Sequence, residues 1–137
     1  MLSKHPGRCR HPHGHSRRVE IVVATTQLDK RDMVCDFKAL RLAIEGFLDQ
    51  FDHAMAVNSK DSMYPLLQER GDRMVVFEDA DPTTEVIARR IYEEVAGQLG
   101  KQFVAKDGVR YLLPEHLIVE RVRVWETSTS WAEFGKP

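Results

Sequence analysis

Two different spacings of apolar residues run along the chain and predict two kinds of element. The run VEIVVAT over residues 19–25 is rich in β-branched residues, which is typical of a strand. After Asp36, which is suited to an N-cap, apolar residues recur every three or four positions to about Gln50, and this spacing predicts an amphipathic helix. The apolar positions of this helix are Phe37, Leu40, Ile44, Phe47, Leu48 and Phe51.

The second half of the chain contains another helical pattern. Asp81 and Pro82 predict its start, with Asp81 as the N-cap and Pro82 at the first helical position. The pattern runs to about Leu99, and glycines weaken its end. Its apolar face is formed by Ile87, Ile91, Val95 and Leu99.

Shorter elements complete the predicted fold. They are strands at 33–35, 74–77 and 118–126, a helical turn at 66–69 and a hairpin around Asp107-Gly108. The tail from Thr127 is predicted to be irregular. Because the strands are short and mostly joined by turns, we expect one α+β domain over residues 1–137, with two helices packed on one face of an antiparallel sheet.

Composition narrows the classes of function. The chain has a net charge of -1, with 42% hydrophobic and 30% charged residues, which is sufficient for a core and gives no reason to expect nucleic acid or an anionic membrane as a partner. No apolar run reaches membrane-spanning length. Cys9 and Cys35 lie in different contexts, so we expect no disulfide framework and a cytoplasmic location.

The first 18 residues are basic and contain four of the six histidines. Alternate residues of an extended chain face the same way, so His13 and His15 would point at one metal ion from positions roughly 7 Å apart. His11 and His15 would be about 13 Å apart, and three alternating histidines therefore need a kink to share an ion. A solvated basic tail is the alternative interpretation.

Two further patterns carry chemistry. Cys9 is either a third zinc ligand or a nucleophile or base, its thiolate favoured by neighbouring arginines. Cys35 is interpreted as a small buried hydrophobe. Asp52 beside His53 is the usual arrangement for orienting and charging an imidazole, although the dipeptide is common.

Glu126 ends the apolar face of the last predicted strand, after Val122 and Val124. A carboxylate at the end of a buried row needs a partner. One candidate is a cation of the chain, in a salt bridge at the end of the strand. The other is a ligand edge with two adjacent N–H donors.

Four motifs, in this order, resemble the family of 6-pyruvoyl-tetrahydropterin and 6-carboxy-tetrahydropterin synthases. They are Cys-x3-His-Gly-His at residues 9–15, Asp-His at 52–53, Pro-Thr-x-Glu at 82–85 and Glu-Thr at 126–127. The resemblance covers the chain from about residue 5 to residue 134. It implies the tunnelling fold and a substrate that is a pterin triphosphate.

The resemblance also implies roles for the acid–base and metal-binding residues. His13 and His15 would hold a catalytic zinc ion, which would polarise the side-chain hydroxyls of the substrate. Cys9 would be the thiolate base, and Asp52 with His53 would form the relay that protonates from the other side.

Substrate recognition is implied for a second set of residues. Glu126 would anchor the pterin ring, with help from the helix start at Thr83, Thr84 and Glu85. The basic N-terminal residues would help to hold the triphosphate.

The three-residue gap between Cys9 and His13 resembles the carboxy enzymes of the 7-deazaguanine (queuosine) pathway. These lyases convert 7,8-dihydroneopterin triphosphate to 6-carboxy-5,6,7,8-tetrahydropterin and release acetaldehyde and triphosphate. By the same resemblance we expect a homohexamer with active sites between subunits. The alternatives are a 6-pyruvoyl-tetrahydropterin synthase and a homologue that binds pterin or metal without turnover.

One motif of the family has no counterpart here, namely a strand before the cysteine that supplies a third zinc histidine. Met1-Leu2 fits the two positions that follow this histidine. We therefore expect the physiological chain to extend upstream of Met1 through a strand that ends in histidine.

Overall fold

The computed structural model describes residues 1–137. A single 3₁₀ turn, Arg8–Arg10, precedes the regular elements. These elements are β1 (Arg18–Ala24), α1 (Phe37–Asp49), β2 (Met55–Asn58), α2 (Tyr64–Arg70), β3 (Met74–Phe77), α3 (Thr84–Gln98), β4 (Gln102–Val104), β5 (Arg110–Leu112), β6 (Ile118–Trp125) and β7 (Trp131–Gly135). No helix has the length and hydropathy needed to cross a membrane.

The main sheet is antiparallel, with strand order β1–β6–β7. Val122 and Val124 of β6 are fully buried, and they pack with Ile87 and Ile91 of α3 and with Ile44 of α1 in one core cluster. The apolar face of β6, which contains every second residue, thus packs against the apolar faces of α1 and α3, where apolar residues recur every three or four positions. The predicted α+β fold class is confirmed.

The strands β2 and β3 form a separate parallel pair, which departs from the antiparallel expectation. Parallel neighbours need a crossover connection, and α2 supplies it. The predicted helical turn at 66–69 is the middle of this helix, whereas β2 was not predicted. Its four residues are too few for a clear alternation.

Residues 33–35 do not form the predicted strand. The side chain of Asp29 accepts hydrogen bonds from the backbone N–H groups of Arg31 and Met33, which closes a local turn instead. Cys35 is buried beside Ala39 and Leu113, as expected for a small hydrophobe, and burial raises the pKa of its thiol.

The start of α3 also differs from the expectation. Thr83 is the N-cap, because its hydroxyl accepts from the backbone N–H of Val86 at 3.2 Å, and Pro82 precedes the cap. Asp81 is unavailable for capping, since its carboxylate accepts from Ser3 Oγ at 2.6 Å and from the Lys4 backbone N–H at 2.7 Å. Thr84 consequently begins the helix.

The tail predicted to be irregular contains β7, which pairs with β6 and is covered by α3. Gly135 permits this pairing, because a Cβ at this position would collide with the carbonyl oxygen of Glu120 and lie 2.9 Å from the Cα of Arg121. Phe134 packs edge-on against Tyr92 of α3. The predicted hairpin around Gly108 is present as β4 and β5.

Candidate active site

One large cavity of about 1000 Å³ lies where the N-terminal segment, residues 1–17, crosses the ends of α1 and β6. Of its 26 lining residues, 12 are hydrophobic, and the others include nine charged or ionisable side chains. The charged and ionisable lining residues are His13, His15, Arg17, Asp52, His53, Arg70, Asp72, Arg73 and Glu126. Such a combination is typical of a small-molecule site.

His13 and His15 stand side by side in the stretch that precedes β1. Their ring centroids are 4.8 Å apart, with the rings nearly perpendicular. Nδ1 of His13 lies 2.6 Å from the carbonyl oxygen of His11. Because a carbonyl oxygen only accepts, Nδ1 donates and Nε2 of the neutral ring is left as a metal-ligand or acceptor nitrogen.

Glu126 directly follows β6 and lies at the centre of a polar network. Its Oε1 is 3.2 Å from Nε2 of His15, and its Oε2 accepts the hydroxyl proton of Thr84. NH1 of Arg17 donates to Thr84 Oγ1 at 2.8 Å and lies 3.5 Å from Oε2. The structure therefore brings Glu126 to His15, Arg17 and Thr84.

The network sets the charge of its members. Burial raises the pKa of Glu126, but the hydrogen bond from Thr84 and the charges of Arg17 and His15 outweigh it, so the pKa lies below its usual value. Burial lowers the pKa of His15, an effect that the Glu126 carboxylate opposes and Arg17 reinforces. Glu126 is thus an ionised acceptor at neutral pH.

Asp52 and His53 lie at the open side of the cavity, after α1. Oδ1 of Asp52 lies 2.9 Å from Nδ1 of His53, and the His53 side chain is 91% exposed. The backbone of His53 is left-handed, with φ at 51°. The dipeptide therefore lines the cavity with its imidazole oriented by the carboxylate.

The other implied site residues differ in how they relate to the cavity. Cys9 is in the 3₁₀ turn, half-buried, and does not line the cavity. Thr83 lines it, whereas Thr84 reaches the site through its bond to Glu126. Glu85 is exposed in the first turn of α3, where its charge favours the helix dipole.

The residues present do not complete a zinc site. His13 and His15 offer two adjacent imidazoles, but no group of three His, Cys, Asp or Glu side chains in the chain has the arrangement to hold a metal ion. Catalytic zinc sites keep three protein ligands. Zinc binding therefore remains a prediction that rests on the histidine pair.

Sequence reasoning missed the role of Arg17, which it counted only among the basic N-terminal residues. The signal was present, because the alternation that groups His13 with His15 also includes Arg17. It also missed the buried polar cluster in which Asp81 accepts hydrogen bonds from Asn58 Nδ2 at 2.9 Å and from Ser3. This cluster ties the N-terminal segment to the start of α3.

The fold and cavity define an α+β domain with a small-molecule site at the end of an antiparallel sheet. A family model described as 6-pyruvoyl tetrahydropterin synthase matches residues 1–137. The chain belongs to this family, and the predicted resemblance is confirmed.

The chain is also similar to individual proteins. A 6-carboxy-5,6,7,8-tetrahydropterin synthase of Aquifex aeolicus is 32% identical, with 93% of this chain and 75% of the relative covered. One from Haemophilus influenzae is 26% identical, with 98% and 89% covered. A crystal structure of an uncharacterized protein from Wolinella succinogenes shares the fold, with a TM-score of 0.65, 21% identity and 94% and 81% covered. The names of the first two relatives agree with the predicted carboxy branch.

Proposed function

We propose that this chain is a 6-carboxy-5,6,7,8-tetrahydropterin synthase. It would act as a carbon–carbon lyase on 7,8-dihydroneopterin triphosphate and release acetaldehyde and triphosphate. Relatives that carry this enzyme's name match nearly the whole chain. The observation that carries the proposal is the ionised Glu126 beside the histidine pair in the large cavity.

The proposal assigns ring recognition to Glu126. A pterin presents its 2-amino group and N3–H side by side, and one carboxylate accepts both as charge-assisted hydrogen bonds. The hydroxyl of Thr84 holds Oε2, which limits rotation of the carboxylate before a ligand arrives. Apolar side chains such as Leu48, Phe51 and Ile87 line the same cavity and suit the flat faces of the ring.

Proton transfer is assigned to Asp52-His53 and to Cys9. The Asp52 carboxylate 2.9 Å from Nδ1 orients the imidazole of His53, which would donate a proton at the open side of the cavity. The role of Cys9 as the base on the other side rests on the motif alone, since its turn lies outside the lining.

Zinc is the proposed cofactor, with His13 and His15 as two of its ligands. When bound, it would act as a Lewis acid toward the substrate hydroxyls. The chain itself forms no third ligand. This incompleteness favours a second candidate function, a homologue that binds a pterin without turnover.

The proposed reaction is tested with protein purified in the presence of zinc and incubated with 7,8-dihydroneopterin triphosphate. Mass spectrometry should identify 6-carboxy-5,6,7,8-tetrahydropterin, and an aldehyde assay should detect acetaldehyde in equal amount. A 6-pyruvoyl product without acetaldehyde would instead assign the chain to the pyruvoyl branch. Binding of a pterin with no product would support the non-catalytic homologue.

We also propose the 7-deazaguanine pathway, a cytoplasmic location and a homohexamer. The assembly is supported by the main sheet, because β1 and β7 each pair with β6 on one side only and leave an outer edge free. Light scattering coupled to size-exclusion chromatography measures the subunit number. A monomer at micromolar concentration would contradict the hexamer.

A further inference from the structure

Arg17 is placed at the polar end of the cavity with unused donors. Its NH1 donates to Thr84 Oγ1 at 2.8 Å, while its contact with Glu126 Oε2 is long, at 3.5 Å. Nε and NH2 make no hydrogen bond with the protein, and neither is sealed from solvent. The guanidinium therefore has a fixed position and free N–H groups beside the ring-binding carboxylate.

The neighbouring Arg18 shows that this placement is specific. Its guanidinium lies over the ring of Trp125 at 4.4 Å and pairs with Glu20 at 2.9 Å, on the opposite face of the sheet. Successive residues of an extended chain point to opposite sides. Only Arg17 shares the side of His13 and His15 and lines the cavity.

We propose that Arg17 is a second ring-recognition residue, which donates to the C4 carbonyl of the pterin while Glu126 accepts from N3–H and the 2-amino group. This inference rests on the proposed function, since it concerns the same ligand. The pterin edge runs donor, donor, acceptor, and a carboxylate followed by a guanidinium is its complement. Glu126 alone would match only the two donors.

The two contacts of Arg17 explain how the ligand enters. A ring N–H that reaches Glu126 Oε2 replaces the long contact from Arg17, while the short bond to Thr84 stays. Arg17 is then held beside the carboxylate with its remaining N–H groups directed to the adjacent carbonyl. The carboxylate keeps charge-assisted partners throughout, so no buried charge is left unpaired.

If Arg17 donates to the C4 carbonyl, the site should distinguish ligands with an oxygen at C4 from ligands with an amino group there. A 4-amino analogue presents a donor to the guanidinium, and the two donors cannot pair. Loss of a hydrogen bond to a charged group lowers affinity by about 10- to 100-fold. The unaltered protein should therefore prefer the 4-oxo ring by a factor in this range, and the preference should depend on Arg17.

The test is calorimetric titration with 6-hydroxymethylpterin and with 2,4-diamino-6-hydroxymethylpteridine, which differ at C4 and in the N3 proton. Arg17→Met should weaken the pterin by about tenfold or more and change the affinity for the diamino compound by less than about twofold. Arg17→Lys keeps the positive charge but lacks the planar, forked set of guanidinium donors. It should therefore lose less pterin affinity than Arg17→Met. Arg18→Met is the matched control and should bind both compounds like the unaltered protein.

Each outcome decides a separate point. Equal affinity of Arg17→Met and the unaltered protein for the pterin overturns the role of Arg17 and leaves the proposed function standing. Tighter pterin binding by Arg17→Met also overturns it, because Arg17 would then compete with the ring for Glu126. Binding of neither compound by the unaltered protein overturns both proposals. Thermal melting monitors the folding of each variant. If Arg17→Met does not fold, undiminished pterin affinity of Arg17→Lys overturns the proposed role of the Arg17 guanidinium.

Discussion

The two sides of the cavity are built in different ways. Glu126 and Thr84 sit at the ends of β6 and α3, whose buried faces form the core. His13 and Cys9 lie in the N-terminal segment, which has no strand and only one 3₁₀ turn before β1. The proposed anchoring of the ring by Glu126 is thus placed on rigid elements, while the proposed metal and base chemistry depends on a segment held by a few polar contacts.

The two sides are stabilised by different interactions. Core packing stabilises the recognition side by burial of large apolar side chains, each worth about 1.5–3 kcal/mol. The N-terminal segment instead depends on Asp81, which is 8% exposed and accepts from Ser3, Lys4 and Asn58. The two sides should therefore respond differently to mutation and to acid.

The largest expected effect is on turnover, through Cys9→Ala. If Cys9 is the base, its loss removes a contribution of about 10² to 10⁴ in rate, so the measured kcat should fall to background. Thermal stability and zinc content should stay nearly unchanged, since the side chain is half-buried and is not assigned to the metal. Cys35→Ser is unsuitable as a control because Cys35 is buried, so Glu93→Ala on the exposed side of α3, away from the cavity, serves instead.

Zinc content separates the two roles considered for Cys9. It is measured by atomic absorption on protein purified with and without the mutation. Loss of the metal from Cys9→Ala would show that Cys9 is a ligand and not a base.

The next largest expected effect is on the stability of the recognition side, and Ile91→Ala in α3 tests it. Ile91 is 1% exposed within the core cluster, and such truncation costs about 2–5 kcal/mol of unfolding free energy. Urea denaturation measures it. The control Glu93→Ala, on the exposed side of the same helix, should change stability by no more than about 0.5 kcal/mol. Equal costs for both variants would contradict the assignment of the core.

Glu126→Ala should weaken pterin binding by about 2–4 kcal/mol, because truncation leaves the ring's two donors unpaired. Calorimetry with biopterin or sepiapterin measures the loss. Glu133→Ala removes a carboxylate from the outer face of the sheet, where it pairs with Arg123, and should leave the affinity unchanged. Unchanged affinity in Glu126→Ala would end the anchoring role.

The smallest expected effect is the acid sensitivity of the N-terminal segment. Burial raises the pKa of Asp81, but hydrogen bonds from Ser3, Asn58 and Lys4 lower it below the ordinary value of 3.8. Because the folded pKa is depressed, the stabilisation is complete above the unfolded pKa and is lost as pH falls through the folded one. The protection of the amides of residues 1–9 against hydrogen exchange, relative to the intrinsic exchange rate at each pH, should therefore fall below about pH 4.

The variant Asp81→Asn should show faster exchange of residues 1–9 at neutral pH and little further change in acid. The control Asp29→Asn alters another carboxylate of lowered pKa, whose partners are in its own turn. It should keep the acid sensitivity of the N-terminal segment. An unaltered acid response in Asp81→Asn would exclude Asp81 as its source.

Periodic elements were predicted well because their determinants are local. The α1 spacing, the α3 face with Ile91 and the alternation of β6 around Val122 each follow from burial of one face. The strand β7 was missed because its pairing depends on a close approach at Gly135 to a strand more than ten residues away. The prediction of a strand at 33–35 was wrong because the side chain of Asp29 accepts hydrogen bonds from the backbone N–H groups of Arg31 and Met33.

The sequence by itself determined α1, α3, β1 and β6, the family motifs and the facing of His13 and His15, since all depend on spacing within short windows. The tertiary structure decided which distant groups meet. Arg17 donates a hydrogen bond to Thr84, 67 residues away in sequence, and lies near Glu126, 109 residues away. Asp81 accepts a hydrogen bond from Ser3, 78 residues away, and therefore does not cap α3. No local periodicity encodes such contacts, because they depend on how the sheet, α3 and the N-terminal segment pack together.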